Sequence, residues 1–235
     1  YSEDWATSWQ LACDMPAFGS LYTIETFGEN HIWAAGSDGG FLRSTDGGKS
    51  WIAGWIVSDN TSVPVYDLHF KDENTGWAVG MNRSIRKTID GGENWLTIDF
   101  APELSVWNQD IYFVDELNGF IVGKDGSGTD VIYRTVDGGE TWNQVLRGQF
   151  HENLLKIDFA NTQIGCVGAE DSLIIYTTDA GTSWNRAQHD MTEKLDLHDV
   201  KYINEENAWA VGERGTLLFS NDAGVHWTSK NLGID

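Results

Sequence analysis

The sequence predicts an all-β fold, a five-bladed β-propeller of four-stranded antiparallel blades. Three observations predict it. The phrase Ser/Thr-x-Asp-x-Gly-x-x-Trp occurs five times, over Ser44–Trp51, Thr88–Trp95, Thr135–Trp142, Thr177–Trp184 and Ser220–Trp227. Its aspartates lie 44, 47, 42 and 43 positions apart, the length of one four-stranded propeller blade. Each copy follows a small apolar phrase: Trp33–Gly36, Gly76–Gly80, Gly119–Gly123, Gly165–Gly168 and Trp209–Gly212.

Residues 2–9 read as a degenerate sixth copy, Ser2-Glu3-Asp4-Trp5-Ala6-Thr7-Ser8-Trp9, with Ala6 in place of the glycine and Asp4 placed 42 residues before Asp46. A strand, Trp9–Cys13, follows it. Residues 1–20 are therefore expected to supply an outer strand that closes the last blade, because an open end leaves strand edges unpaired. The segment Trp227–Gly233 competes for that place. It is polar and weak as a strand, and is expected to be short or displaced.

From residue 21 the cycle runs five times, in repeats of about 21–56, 57–100, 101–146, 147–188 and 189–235, one domain over 1–235. Inner strands are Tyr22–Phe27, Tyr66–Phe70, Asp110–Phe113, Lys156–Phe159 and Asp199–Tyr202, which alternate polar and apolar residues as two-faced strands require. The Trp-Ala-Val-Gly phrase is the second strand. The third strand runs into the Asp phrase, and the fourth begins at its Trp. Two departures stand out. The loop Lys124–Asp130 is longer than its counterparts, and Gly165-Cys166-Val167-Gly168 reads as one residue short.

Within one phrase the chemistry is that of a tight turn. The aspartate accepts backbone N–H groups two residues on. The glycine suits positive φ, and the Trp covers the turn with its indole N–H kept for a polar partner. Five copies are better explained as five equivalent corners than as five active sites. The structural residues are Asp46, Trp51, Asp90, Trp95, Asp137, Trp142, Asp179, Trp184, Asp222 and Trp227. The phrase is similar to the Asp-box, or bacterial neuraminidase repeat. With the Gly-Trp-Ala-Val-Gly strand before it, nearly the whole chain resembles the photosystem II stability/assembly-factor-like propellers. That resemblance implies a scaffold rather than a catalyst. Asp-boxes also occur in sialidases, xyloglucan hydrolases and sorting receptors.

The chain of 235 residues carries 36 acidic and 15 basic residues, a net charge of −21. This argues against nucleic acid and anionic membranes as partners. It serves solubility, or alternatively a basic or cationic partner or a salt-rich habitat. Cys13 and Cys166 fall at different strand positions and are expected to be free thiols. No apolar run approaches the roughly 20 residues of a membrane span. No signal peptide is visible, and an extracytoplasmic compartment, secreted or periplasmic/lumenal, is expected. The six His are scattered without metal spacing, so neither metal nor cofactor is expected.

Candidate chemistry sits in loops on the face opposite the Asp phrases: Gly54–Pro64, Asp99–Asn108, Arg147–Asn153, Gln188–Leu197 and the shorter second-to-third connections. The binding candidates are Trp55, Trp107, Asp38, Arg83, Glu213 and Arg214. Trp55 and Trp107 fall outside the repeated positions and suit sugar stacking or a partner's pocket. Asp125 and Asp130 invite a calcium reading, with a flexible turn preferred. Asp67, Asp110, Lys156 and Asp199, with His69, Tyr112, Asp158 and Lys201 two residues on, line the inner strands, where paired carboxylates can do acid–base work. Arg43, Arg86 and Arg134 lie beside the Asp phrases, away from that face, and no catalytic residue is assigned. The expected function is non-enzymatic: a rigid scaffold binding a protein partner. Carbohydrate binding is the alternative and glycoside hydrolysis the third.

Overall fold

The computed structural model describes residues 19–56, 63–82, 85–98 and 106–230. The chain divides into two compact units, Tyr1–Pro102 and Glu103–Asp235. The first unit holds two sheets. One is β1 (Leu21–Phe27), β2 (His31–Gly36), β3 (Gly40–Ser44) and β4 (Ile52–Trp55). The other is β5 (Val65–Phe70), β6 (Gly76–Gly80), β7 (Ile85–Thr88) and β8 (Leu96–Ile98). The second unit holds three. These are β9 (Val106–Phe113), β10 (Gly119–Asp125), β11 (Asp130–Thr135) and β12 (Asn143–Arg147); then β13 (Leu154–Phe159), β14 (Gly165–Ala169), β15 (Ile174–Thr177) and β16 (Asn185–Arg186). The last combines β17 (Gln188–His189), β18 (Leu197–Tyr202), β19 (Ala208–Gly212), β20 (Leu217–Ser220) and β21 (His226–Ser229).

Within each four-strand set, spatial order equals chain order and every pairing is antiparallel. β21 takes the fourth position of the last sheet, so the C-terminal segment is short but not displaced. Outside it β17 adds a parallel pairing, Gln188 to His226 and His189 to Trp227. Residues 1–18, with the degenerate Asp phrase and Cys13, lie outside the described residues.

The Asp phrases fold as five copies of one turn. The Ser or Thr hydroxyl donates to the Asp Oδ1, at 2.8 Å for Ser44 and Asp46. The same oxygen accepts the glycine N–H four residues on, at 2.9 Å from Gly48 and at 3.0 Å from Gly224. The Asp Oδ1 then accepts the N–H four residues ahead, not two as a simple Asx-turn has it: Ser50, Asn94, Thr141, Ser183 and His226, each at 2.9 Å. The carboxylate thus spans the whole loop, since the turn is wider than a β-turn. Both residues after the aspartate are left-handed, with φ of 72° and 83° at Gly47 and Gly48. Ala180 and Ala223 take the first of these places at φ of 58° and 62°. The second place is always Gly, because a Cβ on Gly181 would lie 2.4 Å from the Phe120 ring. The indole N–H of Trp51 and Trp227 closes onto the carbonyls of Gly48 and Gly224, at 3.0 and 2.8 Å.

The glycine ending the second strand has its own cause. Each inner strand carries a one-residue bulge at the same height. The bulge pushes a carbonyl against the second strand, so a Cβ on Gly36, Gly80 or Gly123 would meet that oxygen at 2.0 Å. β14 keeps this register. Leu154 pairs with Ala169 and Lys156 with Gly168, so the strand has the full five residues and the apparent deletion is not real. Gly168 stands where β6 has Val79, and Ala169 where it has Gly80.

Neighbouring sheets inside each unit pack through the second strand of one and the first of the next. In the first unit Trp33 stacks on Phe70 with centroids 3.7 Å apart, and its indole N–H donates to the Gly91 carbonyl at 2.9 Å. In the second unit Phe120 stacks on Phe159 at 4.8 Å, and Trp184 meets both edge-on. Cys166, Ile174, Val200, Tyr202 and Trp227 fill the next joint. Each buried Ile, Leu or Phe there contributes roughly 1.5–3 kcal/mol. Burial pushes the Cys166 thiol well above its ordinary value and leaves it inert.

Candidate binding face

Four of the second-to-third connections share one feature. Three are single 3-10 turns, Ser37–Gly39, Glu170–Ser172 and Glu213–Gly215. At the same place in four repeats a non-glycine residue is left-handed: Asp38 (φ 62°), Asn82 (59°), Asp171 (55°) and Arg214 (53°). All four side chains are exposed. The predicted site residues Asp38, Glu213 and Arg214 therefore stand on these turns, whereas Arg83 lies outside the described residues.

The second unit builds this end of its sheets most fully. The connection ahead of β18 crosses from the fourth sheet to the fifth. Ser172 Oγ donates to the Glu193 carbonyl at 2.9 Å and accepts the Leu195 N–H at 2.9 Å. Asp171 pairs with Lys194. The Glu213 N–H donates to the Asp196 carbonyl at 2.9 Å, and the Arg214 Nη1 donates to Glu193 Oε2 at 3.0 Å. Beside that pair lies a cavity of about 270 Å3, lined by Met191, Glu193, Leu195, Arg214, Ser229 and Lys230 among others.

The two isolated tryptophans sit on strands rather than loops. Trp55 ends β4 opposite Gly40 and is 57% exposed. Trp107 lies on β9 opposite Lys124, whose ammonium stands 5.0 Å from its ring centroid, so this ring is half-covered by a cation. Trp107 is on the sheet because the inner strand of the third repeat starts earlier than its polar alternation suggests, and Trp55 because β4 runs on to pair it with Gly40.

The acidic residues of the long third loop have separate tasks. Asp125 is buried. Its carboxylate accepts Ser127 N–H, Ser127 Oγ and Thr129 N–H on one oxygen and the Arg147 guanidinium on the other. Burial raises its pKa, but these donors outweigh it and hold the group at about 2. Asp130 accepts the N–H groups of Gln149, Phe150 and His151. The loop is a turn fixed by hydrogen bonds and not a flexible one.

The inner-strand carboxylates serve as staples. Asp110 accepts Lys156 Nζ at 2.6 Å and the Ile157 N–H at 2.8 Å. Asp158 accepts Lys201 Nζ at 2.7 Å and the Tyr202 N–H at 2.6 Å. In the first unit Asp67 accepts the Thr23 hydroxyl at 2.8 Å, and Glu25 accepts the Phe70 N–H at 3.4 Å. Glu25 was not legible as a member of this set, since only strand register aligns it with Asp158. Burial pulls the His69 imidazole down to about 4. Arg43 pairs with Glu93 at 2.7 Å, and Arg134 reaches Asn118. Among the described residues no three His, Cys, Asp or Glu side chains gather as a metal set. No helix among them is long and apolar enough to cross a membrane.

A family model described as photosynthesis system II assembly factor YCF48 matches residues 99–196. The chloroplastic photosystem II stability/assembly factor HCF136 of Arabidopsis thaliana is 26% identical over 125 residues, 50% of this chain and 30% of that protein. The chain spans about a third of the length of the curated relatives it matches. The structure of YCF48 bound to D1 peptide superposes with a TM-score of 0.63 at 17% identity, over 92% of this chain and 82% of that one. An ancestral GH74 enzyme gives a TM-score of 0.70 at 13% identity, over 90% of this chain and 31% of that one. Both are likenesses of fold. With five Asp-box turns on four-stranded sheets, the chain is a BNR-type β-propeller protein that resembles the photosystem II stability/assembly factors.

Proposed function

We propose that this chain is a non-enzymatic scaffold that binds a protein partner through the face carrying the second-to-third connections. The observation that carries the reading is the repeated left-handed residue at Asp38, Asn82, Asp171 and Arg214. A left-handed backbone costs most non-glycine residues about 1 kcal/mol, less for Asp and Asn and most here for Arg214, and glycine would remove that cost. Exposed polar side chains are retained there instead. Proposed contact residues are Asp38, Arg83, Glu213, Arg214 and Trp55, with Trp107 a weaker candidate under Lys124. The resemblance to a factor seen with a bound peptide supports a protein partner. The staple roles of Asp110 and Asp158 support the absence of catalysis.

In this reading the five sheets are consecutive blades of one propeller domain, and residues 1–20 contribute a closing strand. The compartment in this reading is extracytoplasmic, secreted or periplasmic/lumenal, and the relatives it resembles are chloroplastic. Carbohydrate is the second ligand class, favoured by the exposure of Trp55.

Calorimetry with a D1 peptide tests the reading, using the variant Asp38→Gly/Asp171→Gly/Arg214→Gly. The variant is expected to keep or raise its thermal midpoint, because strain is relieved, and to bind at least ~10-fold more weakly, about 1.4 kcal/mol. Unchanged binding by a folded variant overturns the proposal. A glycan-array response lost in Trp55→Ala moves the assignment to carbohydrate, and turnover of xyloglucan oligosaccharides moves it to hydrolysis.

A further inference from the structure

The cavity beside Arg214 brings together two cations, Arg214 and Lys230, and one carboxylate, Glu193. The chain has only 15 basic residues against 36 acidic ones, yet Arg214 and Lys230 line one space of about 270 Å3. Arg214 occupies the left-handed place that Asp38, Asn82 and Asp171 take in the other repeats. Asn and Asp visit this conformation readily, whereas a long cationic side chain gains nothing from it. Its guanidinium donates from Nη1 to Glu193 Oε2 and its side chain is 75% exposed. That leaves donors of a five-donor fork able to face the cavity. Lys230 stands over the Phe219 ring at 5.1 Å and makes no ion pair with a carboxylate among the described residues. Met191, Leu195 and Leu217 supply an apolar wall on the same cavity.

We infer that this cavity takes the carboxylate of a Glu or Asp side chain from an extended partner segment, held between Arg214 and Lys230 with an adjacent apolar side chain on Met191, Leu195 and Leu217. The inference rests on the protein-partner reading and names the chemistry of one contact in it. Glu193 acts as an internal occupant: it holds the guanidinium until an outside carboxylate competes for it. With a net charge of −21 the chain as a whole repels an acidic segment. Affinity for one must then come from this local pair of cations, not from the general field.

The experiment uses the full chain and two fluorescein-labelled peptides, Gly-Leu-Glu-Leu-Glu-Leu-Gly and its twin with both Glu replaced by Gln, read by anisotropy. The Glu peptide is expected to bind at least ~10-fold more tightly than the Gln twin. Arg214→Gln and Lys230→Gln should each remove most of that preference and leave the twin unaffected. Glu193→Gln should tighten the Glu peptide by freeing the guanidinium. Arg214→Gly guards against misfolding, because it removes the charge while easing the backbone, and it should match Arg214→Gln in binding. Equal binding of the twins overturns the inference, as does binding of neither. Preference for Glu that survives both cation substitutions overturns it too. If the twins bind equally but a D1 peptide still responds to the triple glycine variant, the protein-partner reading stands and only the carboxylate site falls.

Discussion

At the scale of single residues, the Asp-box aspartates do work that hydrogen-bond chemistry makes legible in advance. Bonds from the Thr141 side chain, then the Thr141 N–H and the Thr135 hydroxyl, hold Asp137 at about 2, below its ordinary 3.8. Asp46 is held at about 2 by Ser50 and Ser44 in the same way. A carboxyl depressed in the folded state stabilises above its ordinary value, and that contribution is lost as pH falls through the folded one. The thermal midpoint is therefore expected to drop between about pH 4 and pH 2. Asp137→Asn should show a shallower drop there, with a lower midpoint at pH 7. These groups are solvent-exposed, so screening keeps each contribution small. An unchanged acid profile in Asp137→Asn would locate acid sensitivity elsewhere. The residue pattern announced the turn but not its span, because a phrase fixes which groups are present and not how far a carboxylate reaches.

At the scale of elements, five inner strands look equivalent in sequence and are not equivalent in the fold. Ile24, Leu68, Ile111, Ile157 and Val200 occupy the same register. Four are 4% exposed or less, whereas Ile24 is 66% exposed. Ile157→Ala is expected to cost about 2–5 kcal/mol through the lost contacts and the cavity left behind. Ile24→Ala should stay within about 0.5 kcal/mol. Denaturant midpoints at constant m-value measure both, and equal losses would show that β1 is covered in solution. The same limit governs the second strands. Gly165-Cys166-Val167-Gly168 reads as shortened because glycine marks the strand end elsewhere, and only pairing with the bulged inner strand shows that Ala169 fills that place. Trp107 was misplaced for a related reason. A strand boundary shifted by a few residues moves a ring from a loop onto a sheet.

At the scale of the whole molecule, deletion of residues 1–13 tests the closing strand. If this segment completes the propeller, its loss should lower the thermal midpoint by about 4–8 °C, the size of a ~2 kcal/mol effect in a chain of this length. No change would mean that β21, already the fourth strand of the last sheet, finishes the domain unaided. The sequence by itself determined the repeat, the turn chemistry and the four-strand unit, and it put Asp38, Glu213 and Arg214 on second-to-third connections. All of these depend on neighbours close along the chain, and local sterics and hydrogen bonding act at that range. Tertiary structure alone decided which polar groups are already occupied. Asp110 and Asp158 look like candidates for acid–base chemistry until the strand beside them is known, and that strand supplies Lys156 and Lys201 from 46 and 43 residues away. Burial and pairing of a carboxylate are set by what packs against it across the fold, and spacing along one chain carries no record of that.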